Sequence, residues 1–284
     1  MILSIIIVNF NVKHLLDACL TSLQNASRGM EAEILVVDNH STDGSAAYLP
    51  GRFPDVKFIW LHENRGFAVA CNIGWKQSSG KFVLFLNPDT VIPEDALRKC
   101  IGFMDKHAEC GALGVRMVNG EGNFLRESKR GFPGLMNSFC KMSGLAALFP
   151  NSSLFAGYYL GHLPEKETNP VEVLSGAFML IRKRLLEETG GFDERYFMYG
   201  EDIDLSYQIR LAGYQNYYFP EVTITHYKGE STDKKSRAYF NNFYGAMALF
   251  VNKYYRKGIR LIGYPFLMAG IRLQWFISRL KTTD

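Results

Sequence analysis

The sequence predicts an α/β fold built on a doubly wound, mostly parallel sheet. Apolar segments with the composition of buried strands alternate four times with segments whose apolar residues recur at helical spacing. Each apolar segment ends in polar or turn-forming residues, the pattern of an open parallel sheet that binds its ligand beyond the carboxyl ends of the strands. A chain of 284 residues is long enough for one large unit of this kind or for two domains of about 150 residues.

The first two strand and helix units open the chain. Leu3–Val8 is a run of aliphatic residues without a positively charged leader, so we expect a buried strand rather than a signal peptide. From Val12 to Leu23 the apolar residues are spaced three and four apart, which predicts a helix. The second strand is Ile34–Val37, and the turn and capping residues of Ser41–Gly44 predict the start of a short helix.

The third and fourth units repeat the alternation. Val56–Leu61 predicts a strand, and after a turn at Glu63–Gly66 a helix is expected from about Phe67 to Gln77. Phe82–Leu86 predicts the fourth strand. Pro93 suits the first turn of the helix that follows, where the next two residues are acids that favour a helix start.

The alternation stops after Val118, and residues 119–164 match no regular pattern. Order returns with the apolar segment Val173–Arg182. Glu201–Ala212 alternates like a strand, but its length and the glycine at 213 favour a helix, which is our prediction. The end of the chain predicts two helices, Ser236–Tyr255 and Gly258–Leu280.

Composition and charge argue against several classes of protein. The chain has 32 basic and 28 acidic residues, and a net charge of +4 is too small to indicate nucleic-acid binding. Five cysteines without a C-x-x-C pair indicate neither a disulfide framework nor a zinc cage, so a reducing cytosol is expected. No uninterrupted apolar stretch reaches the roughly 18 residues of a spanning helix. The absence of G-x-G-x-x-G and Walker A sequences disfavours a nicotinamide enzyme or a P-loop NTPase.

Polar residues collect where the predicted strands end. They are Asn9, Asn11, Asp38, Asn64, Arg65, Asn87 and Asp89. Because the carboxyl ends of parallel strands meet at one edge of a sheet, a single crevice is expected to hold all of them. Asp38 occupies the position where such sheets commonly recognise a nucleoside, although its neighbours also suit an ordinary turn.

Two residues are candidate metal ligands. Asp89 follows a strand in the sequence Asn87-Pro88-Asp89-Thr90, where a carboxylate suits a hard divalent cation and equally suits a cap on the next helix. His226 follows a predicted strand late in the chain, where an imidazole is either a metal ligand or a structural side chain.

Three acids, Glu201, Asp202 and Asp204, cluster at the predicted start of one helix. Acids at this position stabilise a helix through capping and the dipole, which accounts for two of them. On a helix Glu201 and Asp204 share a face, whereas Asp202 points elsewhere. Asp202 is therefore the candidate general base, provided that it faces the crevice.

In combination these segments resemble the family 2 glycosyltransferases of the GT-A fold, and within them the bacterial rhamnosyltransferase-like branch that builds cell-surface polysaccharides. The resemblance extends from Met1 to about Ser231. The matching segments are Ile6–Asn11, Val36–Ser45, Glu63–Ala68 with Asn72 and Gly74, Leu86–Thr90, Ser175–Phe178, Gly191–Glu194 and Gly200–Leu205 with Arg210 and Gly213. The resemblance implies a Rossmann-like GT-A domain over residues 1–235, with a nucleotide-sugar half of about 1–118 and an acceptor half of about 119–235. A C-terminal helical segment would cover 236–284.

The resemblance also implies an activity, which is the inverting, metal-dependent transfer of a single sugar. The donor would be a dTDP- or UDP-linked sugar, and the acceptor a hydroxyl of a glycan or polyprenyl-linked precursor. The implied roles are the following: Asn9, Asn11, Asp38 and Arg65 around the base and ribose, Asn87 and Gly176 at the donor, Asp89 and His226 on Mg²⁺ or Mn²⁺, Asp202 as base, and Glu201, Asp204 and Arg210 in support.

The sequence departs from the family pattern at two points. Asn87 stands where the family's D-x-D motif has its first acid, which leaves fewer negative metal ligands. The Q-x-x-R-W pattern of processive synthases is also absent, which favours addition of one sugar over polymerisation.

The C-terminal segment has the composition of a helix that lies on an anionic membrane. Tyr254–Lys257 combines aromatic and basic residues, and Gly258–Leu280 is largely apolar, although a helix packed on the core has a similar pattern. The uncharged stretch Met142–Pro164 is a second candidate for membrane contact. We therefore expect a cytoplasmic protein held at the inner face of the cytoplasmic membrane.

Two other functions fit an α/β chain of this length. A sugar nucleotidyltransferase should carry a glycine-rich basic loop after its first strand, where this chain has Asn9-Phe10-Asn11. A catalytically silent, nucleotide-binding GT-A-like scaffold would be favoured by loss of Asp89 or Asp202, and both are present.

Overall fold

The structure is a computed structural model of the chain, and it describes residues 1–134, 136–137, 140, 143–227, 236–256 and 258–281. Met142, Lys257 and the expected domain boundary near residue 235 lie outside the described residues. The predictions that involve them are therefore followed only through their described neighbours.

Strands and helices are numbered in chain order. The strands are β1 (Leu3–Asn9), β2 (Ala32–Asp38), β3 (Lys57–Trp60), β4 (Phe82–Leu86), β5 (Thr90–Val91), β6 (Cys110–Val118), β7 (Asn169–Val171), β8 (Phe178–Arg182) and β9 (Gln215–His226). The helices are α1 (Lys13–Ala26), α2 (Ser45–Arg52), α3 (Phe67–Lys76), α4 (Ala96–Lys106), α5 (Leu145–Leu148), α6 (Lys183–Thr189), α7 (Glu201–Leu211), α8 (Arg237–Tyr254) and α9 (Tyr264–Lys281). Short 3-10 helices cover Arg126–Ser128 and Gly258–Ile262.

The described strands form one mixed sheet in the order β3-β2-β1-β4-β8-β6-β9-β5, with β7 beside β9. The first four strands, β6 and β9 run in one direction, and β5, β7 and β8 run in the other. The predicted α/β fold with a mostly parallel sheet is confirmed. So are the four strand and helix units of the first half of the chain.

The core lies on both faces of the sheet. All seven residues of β1 are buried, because the strand is central and covered on both sides. Ile5 packs in the core cluster that contains Leu16 of α1, whereas the next residue, Ile6, packs in the cluster that contains Trp75 of α3. Successive side chains of a strand point to opposite faces, so α1 and α3 cover opposite sides of a doubly wound sheet.

Strand β8 was not placed in the sheet by the sequence. It runs antiparallel between β4 and β6, with Leu86 opposite Phe178. This brings the start of β8 to the carboxyl end of β4, where the Asn87 amide donates to the Ala177 carbonyl at 3.0 Å. Gly176 is thereby positioned beside the residues that end β4.

The segment Glu201–Leu211 is a helix, as predicted, and so is Arg237–Tyr254. The last predicted helix is divided, since Gly258–Ile262 is a 3-10 helix and the α-helix begins at Tyr264. Helices α8 and α9 pack together through Val251, Leu267 and Ile271. In the described ranges no helix combines the length and the apolar character needed to cross a bilayer. All five cysteines are buried and free in the structure.

Candidate active site

A crevice of about 480 Å³ opens at the carboxyl ends of the central strands. It lies where the doubly wound topology predicts a ligand. Residues that the sequence analysis had singled out line it together; they are Asn64, Asn87, Asp89, Gly176, Glu201, Asp202 and His226. They come from both predicted halves of the chain, and the sheet joins those halves.

Asp89 and His226 form a buried pair in the crevice. Asp89 immediately precedes β5, and the register of β5 against β9 places Thr90 opposite His226. His226 Nε2 therefore lies 3.2 Å from Asp89 Oδ1, with only 7% and 4% of the two side chains exposed. Beyond this contact, neither Asp89 Oδ1 nor His226 Nδ1 has a hydrogen-bond partner among the described residues.

This pair fits the divalent cation that the resemblance implied. A carboxylate oxygen and an imidazole nitrogen with unused lone pairs are suitable ligands for Mg²⁺ or Mn²⁺. In the described part of the chain, no three or more acidic, histidine or cysteine side chains are arranged so that together they could hold a metal ion. The remaining ligands of a cation would accordingly be water and oxygens of the substrate.

Asp202 faces the crevice from the first turn of α7. The helix follows Gly200, whose φ of +81° suits a residue without a side chain. Asp202 Oδ1 accepts from the Ile203 amide at 2.8 Å, and Oδ2 accepts from the Gly176 amide at 3.2 Å. Both carboxylate oxygens are thus fixed by backbone donors, which orients the side chain.

Arg130 also contacts Asp202, and the sequence analysis had not identified it as a site residue. Its Nη2 donates to Asp202 Oδ2 at 2.5 Å and to the Leu174 carbonyl at 2.9 Å. Paired backbone hydrogen bonds between Arg130 and Val173 hold the arginine there. Burial alone would lower the pKa of Arg130, but the charge of Asp202 raises it well above its ordinary value.

Glu201 lines the crevice next to Asp202, whereas Asp204 does not. Glu201 is the first residue of the helix, so its side chain projects from the helix end. Burial, and then the negative charge of Asp202, raise the pKa of Glu201 to about 8. At neutral pH the protonated form of Glu201 is therefore favoured.

The residues expected around a nucleoside form hydrogen bonds between the end of β1 and the loop that follows β2. Asn9 is fully buried, and its Nδ2 donates to Asp38 Oδ2 at 2.6 Å. Asp38 Oδ1 accepts from the Ser41 amide at 2.7 Å, and Asn11 Oδ1 accepts from the Thr42 amide at 2.7 Å. None of Asn9, Asn11 and Asp38 lines the crevice.

Arg65 is also absent from the crevice lining, although its neighbour Asn64 is part of it. The Arg65 amide donates to Asn39 Oδ1 at 2.9 Å, and its guanidinium lies 4.0 Å from exposed Glu63. Asn39 lines the crevice and donates to the Gly66 carbonyl at 3.1 Å. Asn39 therefore joins the two loops at the site.

The supporting residues Asp204 and Arg210 lie outside the crevice. Asp204 is completely buried and accepts from Lys253 Nζ of α8 at 2.9 Å. Arg210 pairs with Glu172 at 3.2 Å on the surface. Asp204 attaches the C-terminal helices to α7.

The family model described as "Glycosyl transferase family 2" matches residues 4–190, which is more than half of the chain. The chain belongs to glycosyltransferase family 2.

Similarity to named proteins agrees with this assignment. The chain is 29% identical to the N-acetylglucosaminyl-diphospho-decaprenol L-rhamnosyltransferase of Mycobacterium tuberculosis over 82% of its own length and 78% of that protein's. This similarity supports the rhamnosyltransferase-like branch of family 2. The chain is also 29% identical, over 68% of its length, to a Staphylococcus epidermidis poly-beta-1,6-N-acetyl-D-glucosamine synthase, of which it covers 42%.

Solved structures show that the fold is GT-A. TarS 1-349 from S. aureus in complex with UDP-GlcNAc superimposes with a TM-score of 0.62 at 22% identity, over 95% of this chain and 71% of that one. The mannosyltransferase PcManGT from Pyrobaculum calidifontis, in complex with GDP-Man and Mn²⁺, gives a TM-score of 0.61 at 15% identity. That match covers 99% of this chain and 76% of PcManGT.

The sequence analysis did not identify the aromatic residues that line one side of this crevice, Tyr199, Tyr239 and Phe243. Tyr199, next to Gly200, has a φ of +71°, which is rare for a large side chain. Its ring lies 5.3 Å from Tyr239 of α8, and Phe243 of the same helix also lines the crevice. The sequence analysis assigned α8 to the C-terminal segment, so it did not anticipate that this helix contributes to the site.

Glu201→Gln is expected to flatten the pH dependence of stability of this glycosyltransferase. The unfolded glutamate ionises near its ordinary pKa of 4.5, whereas the folded one keeps its proton to about 8. The stabilisation of the folded state is full below the unfolded pKa and is lost as pH rises through the folded pKa. Urea unfolding from pH 5 to 8.5 should therefore show Glu201→Gln gaining on the wild type toward alkaline pH. Exposed Glu188→Gln is the control, and parallel curves for all three proteins would contradict the expectation.

Proposed function

We propose that the protein is an inverting, metal-dependent glycosyltransferase that moves one sugar from a UDP- or dTDP-linked donor. The observation that carries the proposal is that Asp202 lines the same crevice as the Asp89 and His226 pair. Membership of family 2 supplies the reaction class. The crevice supplies one carboxylate oriented to accept a proton and a pair of side chains suited to a cation.

The chemistry assigned to Asp202 is general base catalysis. An acceptor hydroxyl donates its proton to the Asp202 carboxylate while its oxygen forms a bond to the anomeric carbon. The bond from that carbon to the donor's diphosphate breaks on the opposite face, and the diphosphate leaves with the bonding electrons. A single displacement of this kind inverts the anomeric configuration.

Asp89 and His226 would hold Mg²⁺ or Mn²⁺ beside the donor. Such a cation, when bound, offsets the negative charge that develops on the departing diphosphate. Asn87 adds an amide to the same crevice but no charge, so the protein contributes a single carboxylate to the cation. The division into a nucleotide-sugar half (1–118) and an acceptor half (119–235) is part of the proposal, with Asp89 in the first and Asp202 in the second.

The proposed acceptor is a polyprenyl-diphosphate-linked sugar or a glycan of the cell envelope. Its support is the name of the mycobacterial relative, which describes transfer of L-rhamnose to N-acetylglucosaminyl-diphospho-decaprenol. The absence of the Q-x-x-R-W sequence favours a single addition.

The direct test is transfer to synthetic N-acetylglucosaminyl-diphospho-decaprenol from dTDP-rhamnose, UDP-glucose and UDP-N-acetylglucosamine, each with and without Mn²⁺. The expected product carries one added sugar with inverted anomeric configuration by NMR, formed only with metal. Retention of configuration would overturn the inverting mechanism. No transfer from any donor, combined with tight nucleotide binding, would favour the silent scaffold.

Helix α9 is proposed to lie on the inner face of the cytoplasmic membrane. An exposed apolar face runs along it, formed by Phe266, Leu273, Phe276 and Leu280, which are 55–71% exposed. Arg272 and Arg279 are exposed on the same helix and suit anionic lipid headgroups. Exposed Leu148 and Phe149 of the uncharged segment add apolar surface elsewhere on the protein.

Phe276→Asp is expected to lower binding to phosphatidylglycerol vesicles by about 10- to 100-fold, because burial of an aromatic side chain is lost. Phe276 is 61% exposed, so Tm should change little. The control is Leu211→Asp, which alters an equally exposed leucine at the end of α7. Flotation of the three proteins with vesicles measures this binding. Equal flotation of all three would show that α9 is not the membrane contact.

A further inference from the structure

Arg130 is the one lysine or arginine among the described residues that line the crevice, and the carboxylate that it pairs with is the proposed base. We infer that Arg130 binds the diphosphate of the donor by exchanging Asp202 for it, so that donor binding releases the base. The inference rests on the proposed function, since it assigns a residue to the donor that the function requires. Three independent features of the structure support it.

The first feature is the charge balance of the crevice. The acidic side chains that line it are Asp89, Glu127, Glu201 and Asp202. Among the described lining residues, Arg130 is the single lysine or arginine. A nucleoside diphosphate that enters this crevice brings further negative charge, so it needs a cationic group from the protein as well as a metal ion. Arg130 is the group in place.

The second feature is an unused donor on Arg130. Its Nη2 contacts Asp202 and the Leu174 carbonyl, and the guanidinium also interacts with the Tyr158 hydroxyl, but its buried Nε has no hydrogen-bond partner in the described structure. Buried N–H groups without an acceptor are rare in folded proteins and call for an explanation. A guanidinium presents its donors as a planar fork that matches phosphate oxygens, and a phosphate would satisfy Nε together with a terminal nitrogen.

The third feature is the occupation of the base. Asp202 Oδ1 accepts from its own helix at Ile203, and Oδ2 accepts from both Gly176 and Arg130. An acceptor hydroxyl must itself donate to one of these oxygens before its proton can be taken. When Arg130 turns to the diphosphate, Oδ2 loses its strongest donor and becomes available to the hydroxyl. The exchange therefore orders the reaction, with the donor bound before the acceptor is activated.

Isothermal titration of UDP and dTDP in the presence of Mn²⁺ tests the inference, with uridine and thymidine as probes that lack the diphosphate. Arg130→Met should weaken diphosphate binding by about 10- to 100-fold, the range for a charge-assisted hydrogen bond, and leave nucleoside binding unchanged. Asp202→Asn should tighten diphosphate binding, because Arg130 no longer has a competing carboxylate. In the Arg130→Met background, Asp202→Asn should have no such effect.

Arg116→Met is the matched control, since it also removes a part-buried arginine paired with an acid, Glu165, outside the crevice. It should bind UDP and dTDP as the wild type does. If Arg130→Met fails to fold, the diphosphate affinities of Asp202→Asn and Arg130→Lys test the inference instead. Arg130→Lys keeps the charge and should retain part of the affinity.

Unchanged diphosphate affinity in both Arg130→Met and Asp202→Asn, with loss of turnover in Arg130→Met, would overturn the inference and leave Arg130 as a positioning residue for Asp202. The proposed function would survive that result. Failure of the wild type to bind either diphosphate would instead overturn the proposed function and the inference with it.

Discussion

Replacing Asp202 with asparagine is expected to lower the turnover number of sugar transfer by about 10²- to 10⁴-fold, the usual contribution of the general base that we propose it to be. An amide has nearly the size of the carboxylate, and its single oxygen can keep one of the two hydrogen bonds from the Ile203 and Gly176 amides that fix Asp202. It has no basic oxygen to take a proton from the acceptor hydroxyl. Steady-state kinetics should therefore show a loss in kcat, with no weakening of the affinity for the nucleoside diphosphate.

Two control variants test whether the loss of turnover is specific to Asp202. Glu201→Gln changes the neighbouring acid, which is already mostly protonated at neutral pH because its pKa is raised to about 8, so it should keep most of the activity. Asp105→Asn alters an exposed carboxylate that pairs with Lys81 away from the crevice, and should be silent. If Asp202→Asn retained turnover within about threefold of the wild type, or if Glu201→Gln were the more severe variant, Asp202 would not be the base.

Lys253→Met is expected to lower the free energy of unfolding substantially, because Lys253 is the cation that joins α8 to two acids of the main domain. Lys253 Nζ donates to Asp193 at 2.7 Å and to Asp204 at 2.9 Å, and Asp204 is completely buried. Removing one partner of a buried pair leaves an uncompensated charge, at a cost of about 3–5 kcal/mol. Lys253 is 24% exposed, so the lower end of that range is expected in urea unfolding.

Lys253→Met should also disturb the crevice, because α8 carries both Lys253 and the crevice residues Tyr239 and Phe243. Lys99→Met is the matched control. It breaks an exposed pair with Asp95 and should alter the free energy of unfolding by no more than about 0.5 kcal/mol. Adding Asp204→Asn to Lys253→Met should restore part of the stability, because the buried charge is then removed. Equal effects of Lys253→Met and Lys99→Met would show that the contacts of Lys253 with Asp193 and Asp204 contribute nothing to stability.

The strands and helices that have a clear hydrophobic pattern or a clear end signal could be predicted from the sequence. Leu3–Val8 is aliphatic at every position except Ser4, as expected of a strand that is covered on both faces, and this composition is visible in the sequence. The helix at Glu201–Leu211 followed from its length and glycine stop, although its apolar residues alternate as in a strand. The position of Asp89 beyond a strand end followed from the same reasoning, and the structure places it in the crevice.

Other parts depend on contacts between distant segments, which no local pattern encodes. Asp89 meets His226 because β5 pairs with β9 in one register, and a strand of two residues leaves almost no trace in a sequence. Arg130 lies in a stretch without periodicity and is positioned by its bridge to Val173. Asn9 and Asp38 donate and accept a hydrogen bond between them, a long-range contact that no local pattern shows, and their contact with a ligand stays a prediction.

The central claim is that this crevice binds a nucleoside diphosphate with a divalent cation held by Asp89 and His226. The most direct measurement is Tm in the presence of UDP, dTDP, GDP or CMP, with and without Mn²⁺, for the wild type and for Asp89→Asn. A ligand that binds only the folded state raises Tm by mass action. We expect UDP or dTDP to raise the Tm of the wild type, more strongly with Mn²⁺, and we expect Asp89→Asn to lose the effect of the metal. No rise with any of the four nucleotides, or the same rise with and without Mn²⁺ in both proteins, would contradict the claim.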